Sequence, residues 1–137
     1  MIQRLSHTTL MVDDQNIAKD FYVNKLGFDL RTDHDMGQWR WVTVSPKGQP
    51  DLQIVLMPID AYPKLDDAGR ADLRRLMKSG SMPTGVMQTA DCRKTYAELK
   101  AKGVEFRGEP KEQFYGVEAV FSDPSGNWFS LTEPKGQ

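Results

Sequence analysis

The chain describes one arrangement of secondary-structure elements twice, and this internal repeat constrains the fold more than any other feature. The segment HTTLMVDD at 7–14 aligns position by position with the segment TGVMQTAD at 84–91. The alignment places Asp14 on Asp91, and an aspartate directly after a strand is a frequent helix N-cap. A strand followed by a capped helix is therefore expected in both halves of the chain.

Two further markers repeat at nearly the same offset along the chain. Gly27 and Gly103, each at the predicted end of a helix, match this offset to within a single position. The turn sequences SPKG at 45–48 and DPSG at 123–126 match it equally well. Markers that recur in one order and at one spacing predict two copies of a single module.

Hydrophobic alternation and helical spacing give the elements of each copy. In the first copy, strands are predicted over 4–12, 28–32, 39–44 and 52–57, with a helix over 15–25. In the second copy, strands are predicted over 84–89, 104–107, 116–121 and 128–132, with a helix over 93–102. A further helix is predicted over 66–78, between the two copies.

This order predicts an α+β fold of two βαβββ modules, over about 1–58 and 83–137, joined by a helical segment at 59–82. One helix covers only one face of each four-stranded sheet, so the bare faces are expected to enclose a cavity. The expected result is one domain with a cupped, eight-stranded mixed sheet. A ferredoxin-like domain is the alternative, but it has four strands rather than eight.

Composition excludes several classes of partner. The formal net charge of −1 gives no basic footprint for nucleic acid, and no apolar run approaches the ~20 residues that span a membrane. Cys92 is the single cysteine, so neither an intrachain disulfide nor an all-cysteine metal site is possible. The first residues, MIQRLSHTTL, lack the apolar core of a signal peptide, and we expect a cytoplasmic protein.

Three segments carry a family resemblance: HTTLMVDD with FYVNKLGF, TADCRKTYAELKAKGVEF, and AVFSDPSGNWFSLTEP. Together they resemble the vicinal oxygen chelate superfamily, which includes glyoxalase I, extradiol dioxygenases, fosfomycin-resistance enzymes and bleomycin-binding proteins. The resemblance covers essentially the whole chain. It implies paired βαβββ modules and assembly as a homodimer, but it does not imply one reaction.

The resemblance also implies four metal-ligand positions, on the first and last strands of each module. His7 matches the first position, and Gln53 stands at the second as a weak, neutral ligand. Thr84 and Ser130 stand at the other two, where hydroxyl groups are poor ligands for divalent metals. We therefore expect no metal cofactor; if a divalent metal is bound, the resemblance implies His7 and Gln53 as its ligands.

Two glutamates are candidates to replace the ligand missing at Ser130. Glu133 lies three residues further along the strand, and an odd offset places it on the opposite sheet face. Glu118 lies on the preceding strand and reaches the cavity only if its own face is the concave one. The spacing leaves that orientation open.

The other candidates are side chains that alternation places on shared strand faces or beside them. The predicted ligand-binding residues are His7, Thr9, Met11, Trp39, Trp41, Gln53, Val55, Thr84, Tyr115, Glu118, Trp128 and Ser130. No catalytic residue is assigned, since GxSxG, GxGxxG and GxxxxGK[ST] motifs are absent.

Two aromatic pairs have two interpretations each. Trp39 and Trp41 share a strand face, and they line the site or belong to the core depending on which face it is. Phe114 and Tyr115 precede a strand, and they either close over a planar ligand or pack against the sheet edge.

The sequence thus favours a small-molecule binding protein that holds an apolar or aromatic ligand between its sheets, for resistance or sequestration. The alternative is a metal-dependent glyoxalase-type lyase or isomerase with a degenerate site. A dioxygenase is less favoured, because the resemblance places its ligands in the second module. A third hypothesis places the function in a partner surface. The identity of the ligand is not encoded in any motif.

Overall fold

The computed structural model describes residues 1–136, and it contains nine strands in that range. The strands are β1 (His7–Val12), β2 (Asp29–Asp35), β3 (Arg40–Ser45), β4 (Gln53–Pro58), β5 (Pro83–Gln88), β6 (Glu105–Phe106), β7 (Lys111–Gln113), β8 (Gly116–Ser122) and β9 (Trp128–Pro134). The helices are α1 (Gln15–Asp20), α2 (Asp67–Lys78) and α3 (Cys92–Ala101). A π-helical turn (Phe21–Lys25) continues α1, and a 3-10 turn (Ile59–Ala61) follows β4.

The strands form two mixed sheets, which lie in two compact units, Met1–Arg75 and Leu76–Gln137. The first sheet has the order β1-β4-β3-β2, with β1 parallel to β4. The second has the order β5-β9-β8-β6, with β5 parallel to β9, and β7 also pairs with β8. The predicted α+β fold of two βαβββ modules is confirmed.

Matching caps begin the helix of each module. The Asp14 carboxylate accepts a hydrogen bond from the Ile17 backbone N–H at 3.0 Å, and Asp91 accepts one from the Lys94 N–H at 3.0 Å. An aspartate N-cap satisfies a backbone donor that the helix itself leaves unpaired. The predicted caps are therefore present in both modules.

The cores lie under the helices. In the first unit, the covered face of the sheet carries residues that are at most 3% exposed, namely Leu10, Val12, Val42, Val44 and Leu56. In the second unit, Phe121 is 1% exposed and its ring lies between those of Phe106 and Phe129, with centroids 5.7 and 5.5 Å away. Each sheet therefore has one covered face and one face that its own helix leaves open.

Two local features depart from the sequence prediction. The helix predicted over 15–25 is α-helical only to Asp20, because a bond from the Leu26 N–H to the Phe21 carbonyl (3.0 Å) widens its last turn. The prediction also counted eight strands, whereas β7 is a ninth. Its three residues are all exposed, so no hydrophobic alternation marks it in the sequence.

No helix within the described residues is long and apolar enough to cross a lipid bilayer.

Candidate functional site

The open face of the first sheet is defined by strand register. His7, Thr9 and Met11 of β1 lie opposite Gln53, Val55 and Met57 of β4. The residues between them, such as Leu10 and Leu56, are buried on the helix side. Because side chains alternate between faces, His7 and its register partner Gln53 lie on the face that α1 does not cover.

Register also settles the position of Trp41. Thr43 pairs with Val55, so Thr43 and its alternate neighbour Trp41 lie on the open face. The centroids of the His7 and Trp41 rings are 6.4 Å apart, and those of Trp39 and Trp41 are 5.8 Å apart with an edge-on geometry. His7 and Trp41 therefore form an aromatic surface on this face, and Trp39, which precedes β3, extends it through its contact with Trp41.

Comparison of the two sheets locates the structural counterpart of Ser130. Thr9 pairs with Val55 in the first sheet, and Val86, which aligns with Thr9 in the internal repeat, pairs with Ser130 in the second. Val55 rather than Gln53 thus corresponds to Ser130, and a valine side chain cannot ligate a metal. Gln53 still lies opposite His7, but its amide oxygen accepts a hydrogen bond from Thr43 Oγ1 at 2.8 Å.

The open face of the second sheet carries a hydrogen-bonded network of four side chains. Tyr115 Oη donates to Glu118 Oε1 at 2.5 Å, and Ser130 Oγ donates to Glu118 Oε2 at 2.5 Å. Ser130 Oγ and Thr132 Oγ1 are 2.6 Å apart, and Thr132 is the donor because Ser130 gives its proton to Glu118. Glu118 therefore lies on the open face of the second sheet, together with Ser130.

Glu118 changes the pKa of Tyr115 as well as accepting its hydrogen bond. The hydrogen bond from Tyr115 to the Glu118 carboxylate raises the pKa of the Tyr115 phenol, with burial and the negative charge acting in the same direction. Gly116, at φ 146°, lets the chain pass the backbone of Glu133 where any Cβ would clash. Next to this close approach, the Lys135 N–H donates to the Tyr115 carbonyl at 2.9 Å.

Thr84 is not brought into this network. The register between β5 and β9 shifts between Pro83 and Gly85, so Thr84 has no partner residue in β9. Its hydroxyl donates to the Met82 carbonyl at 3.4 Å. Glu133 lies on the face that α3 covers, as its odd offset from Ser130 predicts. Its carboxylate accepts a hydrogen bond from the Cys92 N–H at the start of α3 at 3.0 Å.

Trp128 shares the face of Ser130, two residues earlier in β9. The Arg107 guanidinium lies over its ring, 5.0 Å from the centroid, and donates to the Gly80 carbonyl at 2.9 Å. The indole N–H of Trp128 is buried and has no hydrogen-bond partner within residues 1–136.

A pocket that sequence reasoning missed lies beside the β2–β3 hairpin. Its volume is about 390 Å³, and its walls include Asp13, Gln15, Gln38, Trp39 and Arg40. Gln15 also donates from its amide to the carbonyls of Arg40 (2.6 Å) and Leu56 (2.9 Å). No sequence signal marks this pocket, because it forms where a strand end, a helix start and a hairpin meet.

The donor chemistry of these faces does not fit a mononuclear metal site. Of the four positions that the resemblance implies, only His7 has a side chain that commonly ligates divalent metals. Gln53 is a neutral amide, Val55 at the position that register matches to Ser130 has no donor atom, and Thr84 and Ser130 are hydroxyls. Within the described range, no three histidine, cysteine or acidic side chains cluster closely enough to hold an ion. Within the same range, His7 forms a hydrogen bond with Ser6 Oγ (3.1 Å) and a ring contact with Trp41.

Sequence comparison gives a family match. The profile of the Glyoxalase/Bleomycin resistance protein/Dioxygenase superfamily matches residues 4–131. The chain is also 34% identical over 134 residues to the uncharacterized protein YetH of Bacillus subtilis (strain 168), covering 97% of this chain and 100% of YetH.

Structural comparison gives neighbours with the same fold along their whole length. The crystal structure of UcmS2 is 44% identical and superposes with a TM-score of 0.90, covering 97% of this chain and 99% of UcmS2. TnmS3, an antibiotic binding protein from Streptomyces sp. CB03234, is 34% identical with a TM-score of 0.76, covering 98% of both chains.

Proposed function

Because the chain belongs to the Glyoxalase/Bleomycin resistance protein/Dioxygenase superfamily, we propose that it is a small-molecule binding protein that sequesters an apolar or aromatic ligand without transforming it. The observation that carries the proposal is the open face of the first sheet. It presents His7, Trp39 and Trp41 where metal-dependent relatives would need further ligands.

The likeness to TnmS3 supports a ligand of natural-product size. TnmS3 is an antibiotic binding protein, and this chain matches it along 98% of its length. Aromatic walls gain binding energy from planar ligands, because ring contacts contribute about 0.5–1.5 kcal/mol beyond area burial. A role in resistance by sequestration follows from binding without turnover.

We propose that this activity needs no cofactor. The alternative, a metal-dependent glyoxalase-type lyase or isomerase, requires two or three strong ligands around one ion. His7 supplies one, whereas its register partner Gln53 is neutral and hydrogen-bonded to Thr43. The donor set of the described residues therefore favours binding over metal-assisted chemistry.

We further propose that the protein acts as a homodimer in the cytoplasm. β1 and β5 are edge strands of their sheets, and Val86 on β5 is 71% exposed. Exposed strand edges are normally covered or paired. A second copy of the chain is the partner that the family resemblance implies. Sedimentation analysis tests the dimer, and a monomer at micromolar concentration would contradict it.

The binding function is tested by tryptophan fluorescence titration with planar polycyclic compounds, including anthraquinone and acridine, followed by mass spectrometry of the recovered compound. We expect saturable quenching and recovery of unchanged compound. Trp41→Ala is expected to weaken binding about tenfold or more, as removal of a central aromatic anchor does.

Ile17→Ala provides the matched control. Ile17 is exposed on α1, away from the open face, so its truncation should leave affinity unchanged. Recovery of a chemically altered compound would favour the enzyme alternative. Equal loss of binding in Trp41→Ala and Ile17→Ala would contradict the assignment of the open face of the first sheet as the binding site.

A further inference from the structure

The polar network of the second sheet holds a carboxylate in one orientation. Glu118 receives hydrogen bonds from Tyr115 and Ser130, and Ser130 is in turn supported by Thr132. Ser130 and Thr132 are 5% and 8% exposed, so this side of the network is buried, whereas Tyr115 on the other side of Glu118 is 39% exposed. Each donor in such a chain polarises the next, and the carboxylate at its end is held firmly in place.

This carboxylate has acceptor capacity left over. An ionised carboxylate has about four lone-pair sites, and the two donors named above occupy one on each oxygen. Glu118 is half-buried, so its remaining sites are only partly served by water. A half-buried anion of this kind is stabilised by any donor or cation that reaches it.

The protein does not supply that cation. Within residues 1–136, no basic side chain lies within 4.0 Å of Glu118, although Lys111 is its register partner in β7. Arg107, directly after β6, donates to the Gly80 carbonyl and lies over the Trp128 ring. In the described part of the chain, the charge of Glu118 is thus left without a cationic partner on the open face of the second sheet.

An exposed aromatic pair flanks the same carboxylate. Phe114 is 89% exposed, and its ring meets that of Tyr115 edge-on with centroids 5.1 Å apart. The bond from Tyr115 to Glu118 fixes the inner ring of the pair. A planar ring that stacks on this pair lies beside Glu118, so a nitrogen on the edge that faces Tyr115 Oη is near the carboxylate.

We propose that Glu118 is a specificity-determining residue that selects ligands carrying a protonated nitrogen on or beside a planar aromatic ring. This inference rests on the proposed binding function, adds the ligand class to it, and assigns the open face of the second sheet as a further binding surface. The Phe114–Tyr115 pair receives the ring, and Glu118 accepts the charged N–H.

The test compares two dyes of nearly identical shape. Slightly above neutral pH, 9-aminoacridine is protonated and acridine is neutral, so their affinities for the native chain isolate the effect of charge. We expect 9-aminoacridine to bind more tightly by about tenfold or more, the range of a charge-assisted hydrogen bond. Glu118→Gln should remove this preference while changing acridine affinity by less than about threefold.

Two further variants keep the test decisive. Glu112→Gln makes the same substitution on β7, opposite Val117 and so on the other face, and should change neither affinity. Lys111→Ala removes the positive charge on the register partner of Glu118, which repels a cationic ligand, and should strengthen binding of 9-aminoacridine alone.

The inference and the proposed function fail in different ways. Equal affinity for both dyes, or equal weakening of both by Glu118→Gln, overturns the selection by charge and leaves the binding function standing. Failure of both dyes and of the other polycyclic compounds to bind the native chain overturns both.

Discussion

The two modules share a backbone plan but carry different surfaces. Asp14 and Asp91 cap their helices with the same geometry, and Gly27 and Gly103 end them with φ angles of 76° and 90°. The open face of the first sheet carries the His7 imidazole beside the indole rings of Trp41 and Trp39. The open face of the second carries the Glu118 carboxylate, which hydrogen bonds hold in place. The two copies of the repeat thus share the residues that cap and end their helices and differ in the side chains of their open faces.

The turns between the last two strands show the same divergence on the structural side. Asp123 in the second module is buried and accepts hydrogen bonds from the Ser125 N–H (2.9 Å), the Asn127 N–H (3.0 Å) and Asn127 Nδ2 (2.9 Å). Its counterpart in the first module, Ser45, is also buried, but its hydroxyl bonds outside its own turn: it donates to the Leu52 carbonyl (2.6 Å) and accepts from Arg31 (3.0 Å). Asp123 therefore holds its own turn together, whereas Ser45 links the end of β3 to Arg31 of β2 and to Leu52 before β4.

The largest difference between the modules is expected at this turn. Asp123→Ala removes a buried acceptor of three hydrogen bonds and should lower the free energy of unfolding by about 2–4 kcal/mol. The control, Lys47→Ala, removes only an exposed ion pair with Asp29 and should cost less than about 1 kcal/mol. Urea denaturation measures the free energy of unfolding of both variants. Equal losses in the two would contradict the expected difference between the turns.

The helix caps are expected to be equivalent. Asp14→Ala and Asp91→Ala should each cost about 1 kcal/mol, because each removes one cap hydrogen bond of 3.0 Å. Thermal or urea unfolding of the two variants gives the comparison. A difference of more than about 1 kcal/mol between them would show that the caps do not act alike.

A smaller effect is expected at Glu133, whose carboxylate adds a second acceptor at the start of α3. Glu133→Gln should cost about 0.3–1 kcal/mol, because a negative charge near a helix N-terminus is favourable. Glu105→Gln, an exposed substitution on β6, is the control and should leave stability unchanged. Stabilisation of the protein by Glu133→Gln would contradict this role.

The smallest effect is expected from Cys92 and appears only in alkali. Burial, followed by the charge of Glu133, raises the pKa of the Cys92 thiol above its ordinary value. The folded state therefore retains the proton when the unfolded state loses it, and stability falls as pH rises through the ordinary thiol pKa. Cys92→Ala should flatten the alkaline limb of the stability curve, measured by urea unfolding; an unchanged limb would count against it.

The sequence predicted the features that depend on local signals. Caps such as Asp14 and stop signals such as Gly27 act on their immediate neighbours, so their residue types and spacing are sufficient. The odd offset of Glu133 placed it correctly on the helix face, because side-chain alternation within one strand is a local rule.

Features that depend on strand pairing could not be predicted from the sequence. The face of Trp41 and the match of Val55 with Ser130 follow from register, which is fixed by contacts between distant segments. The shift that isolates Thr84 from β9 has no signature in residue type. The site residues remain predictions about binding, although the structure shows which of them lie together.

Metal analysis of the purified chain tests the central claim, that the open faces bind an organic molecule rather than an ion. The protein is equilibrated with Zn²⁺, Ni²⁺ and Mn²⁺ in turn, passed through a desalting column, and its metal content is measured by mass spectrometry beside that of His7→Ala. We predict far less than one ion per chain in both proteins. One ion per native chain that is lost in His7→Ala would contradict the account.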